Sequence, residues 1–265
     1  MTLRDAATVM LVRDGQSGLE VFMLRRNLNS DFVGGAYVFP GGAVDEEDRH
    51  ADLERVSRGR SDDQASNLLG LDKGGLAFWV AAIRESFEEA GVLLATDETS
   101  AVVSFADPDV AARFAIHRKA VDSGERRLIE VCEIEDLVLA VDQIHYFSHW
   151  ITPEGAPRRY DTRFFVCAEP PEQVPLHDDR ETIANVWIRP EEALRLHRAG
   201  HEFPIEITSR RNDVRRSSTC CRMSPGYGSM CQSFRICASS AGVIAFLKRA
   251  PVRPLTRRSQ SAHVA

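Results

Sequence analysis

The sequence predicts an α+β fold in which a mixed β-sheet is sandwiched between helices. Three observations support this prediction. Short apolar runs typical of strands occur on both sides of one long helical pattern. That pattern, residues 76–93, predicts the strongest helix in the chain. A further helical pattern follows the last strand run. Strands and helices in this order are typical of a sheet whose faces are covered by helices.

The amino-terminal part of the chain predicts a β-hairpin and one further strand. Residues 7–13 and 19–25 are apolar runs joined by a Gly-containing turn at 14–18. Such a pair is the usual pattern of two antiparallel strands. Residues 36–39 form another short apolar run, which Pro40-Gly41-Gly42 is expected to end in a tight turn.

An excursion from the fold comes next, followed by the main helix. Residues 43–74 are polar and charged, so they are expected to lie outside the core, with a short helix near 48–57. The helix of residues 76–93 then shows apolar residues at helical spacing, with Gly91 where a carboxyl-terminal stop is expected.

The elements that complete the fold follow the main helix. They are one or two helices in 107–135, strands at 143–151, 162–168 and 183–188, and a closing helix at 191–198 with Pro190 in its first turn.

The candidate chemistry lies in the main helix. Glu85, Glu88 and Glu89 are spaced i, i+3 and i+4, so their carboxylates share one helix face, where like charges repel each other. The neighbouring Arg84 cannot neutralise all three. Clustered oxygen ligands of this kind suit Mg²⁺ or Mn²⁺. A solvated acidic face is the alternative, but the opposite face of the helix is strongly apolar, which indicates that the helix is fixed against a core.

The segment Arg84–Val92 resembles the second half of the Nudix box, R-E-U-x-E-E-x-G-U, where U is a bulky apolar residue. Ser86 stands where the apolar residue is usual, and Gly42 matches the opening glycine of the box. Asp48 stands where the first glutamate is usual. Between Asp48 and Arg84 lie 35 residues instead of seven, so the box carries an insertion of 28 residues, within 43–75. The resemblance implies the Nudix fold over residues 1–208.

A split box of this kind resembles a subgroup of CoA diphosphatases, the mammalian peroxisomal enzymes and their bacterial relatives. Other segments extend the resemblance: Phe22–Arg26, Gly35–Gly42, His149–Pro153, Arg158–Phe165 and Trp187–Leu194. It implies a hydrolase that cleaves the diphosphate linkage of CoA or acyl-CoA. Two alternatives stay open: a Nudix pyrophosphatase for ADP-ribose, NADH or a damaged nucleoside triphosphate, and a catalytically silent Nudix module that binds a ligand.

The resemblance and the residue chemistry together give each candidate residue a role. Glu85, Glu88 and Glu89 are the expected metal ligands, and Glu88, Glu89 or Glu181 could act as the base. Arg84 is expected to orient the helix by hydrogen bonds to backbone or to a glutamate. The candidate substrate-binding residues are Gly41 and Gly42, through close backbone approach, and Arg159 and Arg163, through bidentate contacts to phosphate, with a paired surface role as the alternative for both arginines.

Composition constrains the partners and the carboxyl-terminal part. Net charge is −6, but residues 209–265 carry eleven Lys and Arg against one acid, so the first 208 residues carry −16. This acidity argues against nucleic-acid binding by the folded domain. The irregular basic tail is interpreted as disordered or as translated from a shifted reading frame. With neither a signal-like start nor a membrane-spanning run, a cytoplasmic location is expected, and a homodimer is one possible assembly.

Overall fold

The computed structural model describes residues 2–29, 34–156 and 158–199. Within these ranges the chain forms nine strands and five α-helices. The strands are β1 (Leu3–Gly15), β2 (Gly18–Arg26), β3 (Tyr37–Val38), β4 (Gly41–Ala43), β5 (Ala95–Thr96), β6 (Val138–Leu139), β7 (His145–Ile151), β8 (Arg159–Ala168) and β9 (Thr182–Ile188). The helices are α1 (Asp62–Leu69), α2 (Leu76–Ala90), α3 (Pro108–Asp122), α4 (Leu128–Ile134) and α5 (Pro190–Arg198).

The long strand β1 lies at the centre of a seven-stranded mixed sheet. It pairs in parallel with β8, residues 3–12 against 159–168, and antiparallel with both β2 and β4. β7 extends the sheet beyond β8, while β3 and β9 both pair with β2. The predicted mixed sheet is therefore confirmed.

Helix α2 covers one face of this sheet and contributes more residues to the larger core than any other element. Trp79, Phe78 and Phe87 are almost fully buried there, and the indole N–H of Trp79 donates to the carbonyl oxygen of Ile144 at 3.0 Å. The opposite face carries a second apolar cluster, in which Met10 and Ile188 pack with Ala193 of α5. Helices thus cover both faces, as predicted.

The insertion is partly a core element, which corrects the expectation that it lies outside the core. Leu53, Val56 and Ala65 are buried in the same cluster as α2. The short helix expected near 48–57 occurs as two 3-10 turns, Glu47–Arg49 and Ala51–Glu54, and α1 was not predicted. A polar segment contributes to the core here because its buried apolar side chains join the cluster that contains α2.

Some element boundaries also differ from the predictions. The main helix ends at Ala90 instead of residue 93, because Gly91 adopts φ 68° and stops it. Residues 41–43 form a strand on β1 instead of only a tight turn. Strands β5 and β6 form a small second sheet. The tail of residues 209–265 lies outside the described residues. None of the helices that the structure describes combines the length and the apolar character needed to cross a membrane.

Candidate active site

The carboxylates of Glu85, Glu88 and Glu89 lie on the last two turns of α2, where the helix faces β4. Glu85 is buried, and Glu88 and Glu89 are partly buried. An Oε2 atom of Glu89 accepts a hydrogen bond from the backbone N–H of Gly41 at 2.9 Å. The side chains therefore point toward the strand and not into open solvent, unlike the acidic face of an ordinary surface helix.

The two glycines of β4 make room for these carboxylates. A Cβ atom at Gly42 would overlap the carboxylate of Glu85, and one at Gly41 would lie 2.5 Å from the hydroxyl oxygen of Thr8. Both glycines thus allow a close backbone approach, while their predicted contact with substrate stays a prediction. In the structure this approach is made to the glutamates and to β1.

Arg84 holds the cluster to the beginning of the insertion. Its guanidinium group binds both carboxylate oxygens of the buried Asp48, with distances of 3.0 and 2.9 Å, and donates to the carbonyl oxygen of Ala43 at 2.8 Å. It also donates to Glu85 at 2.9 Å and to Glu88 at 3.1 Å. The hydrogen bonds expected of Arg84, to backbone and to glutamate, are both present.

Asp48 is brought to Arg84 although 35 residues of sequence separate them. Its side chain is 2% exposed and also accepts from the N–H of Asp45 at 2.8 Å. These contacts use both oxygens, so Asp48 acts as the counter-ion of Arg84. The inserted residues thus lie between Asp48 and Arg84 in sequence and do not prevent the pair from forming.

Burial makes the carboxylates unusually basic. It raises the pKa of Glu85 to about 8 and that of Glu88 to about 7, against the opposing charge of Arg84. Burial, followed by repulsion from Glu85, raises the pKa of Glu89 well above its ordinary range. Burial lowers the pKa of Arg84, but its partners Asp48 and Glu85 more than offset this. One guanidinium group thus cannot neutralise the cluster, which retains protons or requires another cation.

The donor set fits a hard divalent cation in its chemistry. All three donors are carboxylates, and their raised pKa values show how poorly the protein alone stabilises their negative charge. Among the described residues, no three His, Cys, Asp or Glu side chains are already gathered around a common point in metal-binding geometry. The contacts of Glu85 and Glu88 with Arg84, and of Glu89 with Gly41, account for this arrangement.

Glu181 lies in the loop before β9, on the side of the cluster formed by Glu89. It is exposed, and its negative charge contributes to the raised pKa of Glu89. Its backbone is fixed at both ends: its N–H donates to Asp178 at 3.1 Å, and its carbonyl oxygen accepts from Asn27 at 2.8 Å. The structure therefore brings this predicted residue near the helix carboxylates.

The two candidate arginines of β8 lie in different surroundings. Arg163 is in the same row of the sheet as Gly42, through Ala7, but it is 3% exposed, pairs with Asp161 and packs over the ring of Phe78. Arg159 lies four residues away, about 13 Å along the strand, and donates to the carbonyl oxygen of Thr152 at 3.2 Å. These contacts favour structural roles over a grip on phosphate.

Sequence reasoning did not identify Arg118 of α3. Its guanidinium group donates to the backbone oxygens of Glu88 and Glu89, both at 2.9 Å, and to that of Leu176 at 3.0 Å. Nothing in the sequence around Arg118 marks it, because its partners are backbone atoms of distant segments.

Comparison with known proteins places this geometry in context. Residues 62–203 match the family model described as the NUDT19 Nudix domain. The human protein named acyl-coenzyme A diphosphatase NUDT19 is 32% identical over 207 residues, covering 66% of this chain and 55% of that protein. The Xenopus laevis protein of the same name is 28% identical, covering 69% and 56%. The chain thus spans little more than half the length of these relatives.

A solved structure agrees at the level of the fold. The crystal structure of a Nudix hydrolase from Alicyclobacillus acidocaldarius superposes with a TM-score of 0.61 at 26% identity, covering 76% of this chain and 85% of that one.

Proposed function

This chain belongs to the NUDT19 Nudix domain family, and from that premise we propose that it is a divalent-metal-dependent hydrolase that cleaves the diphosphate linkage of CoA or acyl-CoA. The names of the human and Xenopus relatives support this substrate class. The expected products are a phosphopantetheine fragment, which keeps any acyl group, and adenosine 3′,5′-bisphosphate, with one water consumed.

The observation that carries the proposal is the buried cluster of Glu85, Glu88 and Glu89. A binding module has no need for three carboxylates whose pKa values are raised by burial and mutual repulsion, because the cluster lowers stability unless a ligand compensates it. A diphosphate that arrives with divalent cations supplies such a ligand. The cluster therefore favours the enzyme over a catalytically silent module.

Each residue of the site has a proposed role. Glu85, Glu88 and Glu89 hold Mg²⁺ or Mn²⁺, and the bound cation neutralises the diphosphate and supplies Lewis acidity. Arg84 keeps the first two carboxylates in place through Asp48 and Ala43. Gly41 and Gly42 allow the strand to approach the cluster, and this close backbone is also their proposed contact with substrate.

We propose Glu181 as the residue that takes a proton from the attacking water. It is exposed and close enough to Glu89 to affect its charge. Glu88 and Glu89 are the other candidates for this role. Arg163 is buried and paired with Asp161, and Arg159 donates to the carbonyl oxygen of Thr152, so neither carries the proposal; their contact with phosphate stays a prediction.

A substrate panel tests the function. CoA, an acyl-CoA, ADP-ribose, NADH and an oxidised nucleoside triphosphate are incubated with the full chain and Mg²⁺ or Mn²⁺, and products are separated by chromatography. We expect CoA or acyl-CoA to give the highest kcat/KM. A higher kcat/KM for another compound of the panel would overturn the assignment of CoA or acyl-CoA as substrate. Turnover of none of the compounds would overturn the assignment as an enzyme.

Two matched variants test the site. Glu89→Gln is expected to lower kcat/KM by about 100-fold or more, since a ligand carboxylate is lost. Glu192→Gln makes the same chemical change on α5, over the opposite face of the sheet, and should retain activity. Equal activity in both variants would show that the site lies elsewhere.

Three further expectations remain part of the proposal. The division into a Nudix domain of residues 1–208 and a basic tail is tested by limited proteolysis. The homodimer is tested by light scattering. The cytoplasmic location is tested by fractionating cells that express the chain.

A further inference from the structure

We propose that Arg118 is a positioning residue that locks the carboxyl end of α2 to the loop carrying Glu181. It would thereby fix the distance between the proposed metal ligands and the proposed base. The metal-related part of this inference depends on the proposed function, and the part concerning the loop does not.

Each carbonyl group at the end of α2, from Ser86 to Ala90, has a hydrogen-bond partner. The last carbonyls of a helix lack partners within the helix. Here the N–H groups of Val92 and Gly91 donate to Ser86 and Phe87 at 3.1 and 3.0 Å. Arg118 then donates to the carbonyl oxygens of Glu88 and Glu89. The N–H of Leu176 donates to the carbonyl oxygen of Ala90 at 2.9 Å.

The backbone of Leu176 is hydrogen-bonded through both its N–H and its carbonyl group. Its N–H donates to Ala90 of α2, while its carbonyl oxygen accepts from Arg118 of α3 at 3.0 Å. One guanidinium group therefore joins two helices and a loop. A planar group with several fixed donors can bridge three carbonyl oxygens in this way, and an ammonium group on a flexible stem cannot hold the same geometry.

The loop after Leu176 connects this attachment to Glu181. Asp178 lies two residues after Leu176, and its carboxylate accepts from the N–H groups of Arg180, Glu181 and Thr182 at 3.2, 3.1 and 2.9 Å. The backbone from Asp178 to Thr182 is thus held by this carboxylate, and only His177 separates it from Leu176. Fixing Leu176 to α2 therefore fixes Glu181 relative to Glu88 and Glu89.

Gly91 follows the last helical residue of α2 and lies against the guanidinium group of Arg118. A Cβ atom there would lie 2.9 Å from Nη1 of Arg118, so the guanidinium group packs directly over this position. A positive charge at this end also complements the negative end of the helix dipole. The glycine of the motif therefore admits Arg118 as well as ending the helix.

Hydrogen exchange of the metal-free protein is the first test. In Arg118→Met, we expect the amides of residues 176–182 to exchange about 10-fold faster or more than in the unmodified protein. Arg113→Met is the matched control, because Arg113 lies on the same helix but is exposed and pairs with Glu135. Exchange at 176–182 equal to that of the control would overturn the proposal.

Metal binding and kinetics provide the second test. Calorimetry with Mg²⁺ or Mn²⁺ alone should show about 10-fold weaker binding in Arg118→Met, in the range found for residues that orient metal ligands. With CoA, kcat should fall about 10- to 100-fold while KM changes less than about threefold. A loss confined to KM would assign Arg118 to substrate binding instead and overturn the positioning role.

A second variant covers the case in which Arg118→Met does not fold. Arg118→Lys keeps the charge but cannot bridge the three carbonyls, so exchange at 176–182 should still be about threefold faster or more, with kcat between the other two proteins. Hydrogen exchange at 176–182 and kinetics in Arg118→Lys that equal those of the unmodified protein would overturn the proposal. If the unmodified protein binds neither metal, the proposed function fails, while the exchange data still decide the role of Arg118.

Discussion

The two ends of α2 are held by neighbours of opposite charge and of different origin. At the amino end, Asp62 of α1 accepts from the N–H groups of Gly74 and Leu76 at 2.8 and 2.9 Å, and Ser66 accepts from Gly75 at 2.8 Å. At the carboxyl end, Arg118 of α3 binds the carbonyls of Glu88 and Glu89. Each charge complements the helix dipole at its own end.

This difference between the two ends of α2 explains how the fold accommodates the insertion. The insertion caps the amino end of α2, about 20 Å from Glu89 along the helix, with residues close in sequence to that end. The carboxyl end carries the proposed metal ligands, and Arg118 of α3 and the N–H of Leu176, both distant in sequence, bind its last carbonyl groups. We therefore expect changes at the amino end to affect stability, and changes at the carboxyl end to affect both stability and activity.

The largest effect is expected from Arg84, which links the carboxyl half of α2 to Asp48. Arg84→Met should reduce the free energy of unfolding by about 3–5 kcal/mol, because it leaves the buried Asp48 without a counter-ion. Urea unfolding of the metal-free protein measures this. Adding Asp48→Asn to Arg84→Met should recover part of the loss, and no recovery would show that the two residues are not coupled.

The next effect compares two glycines that end helices. Gly91 after α2 and Gly70 after α1 both have φ 68°, but a Cβ at Gly70 meets no atom within 4 Å, whereas one at Gly91 meets Arg118. Substitution of either by Ala should cost about 1–2 kcal/mol of stability. Only Gly91→Ala should also reduce kcat and metal affinity. Equal kcat and metal affinity in the two variants would show that the contact between Gly91 and Arg118 does not affect activity.

A smaller effect is expected at the amino end. Asp62→Ala removes a carboxylate that accepts two backbone N–H groups, so thermal unfolding should show a loss of about 1–2 kcal/mol. The kcat per folded molecule should stay within about twofold. Asp63→Ala, at the exposed neighbouring position, is the control. A large fall in kcat for Asp62→Ala alone would show that the amino end also controls the chemistry.

The smallest effect is a dependence of stability on pH. The pKa of Glu85 is about 8 in the folded protein, against about 4.3 in an unfolded chain. The contribution of Glu85 to the free energy of unfolding is thus fully present below its unfolded-state pKa. It is lost as pH rises through its folded-state pKa. The metal-free Tm should fall by a few °C between pH 6 and pH 8.5.

Saturating Mg²⁺ should raise Tm more at pH 8.5 than at pH 6, because the ligands must be deprotonated to bind it. Glu85→Gln should make the metal-free profile shallower, while Glu88, whose pKa is about 7, still titrates in the same range. An unchanged profile in that variant would show that Glu85 is not the group that titrates.

The sequence predicted what depends on local spacing. The i, i+3, i+4 pattern placed Glu85, Glu88 and Glu89 on one helix face, and Gly91 marked the helix end within a few residues. The mixed sheet and the covering helices followed from the order of apolar runs. A signal for α1 was also present, since Ser61 and Gln64 have the spacing of a capping box, which the structure contains.

The rest depends on contacts between distant residues. Nothing local shows that Asp48 returns to Arg84, that Asp62 caps α2 or that Arg118 binds its carboxyl end. The burial of Arg163 also could not be read from its sequence, because the alternation of β8 does not reveal which face α2 covers. Contacts of this kind become visible only when the packing of the elements is known.

The central strand has a consequence for how the molecule is made. Residues 3–12 pair with 159–168 along the whole parallel ladder, so the first strand of the chain completes its pairing only after most of the domain has been synthesised. Long loop closure of this kind slows folding and leaves a sheet edge exposed meanwhile. α2 and its glutamates therefore leave the ribosome long before β8, and their final surroundings form late in the folding of the domain.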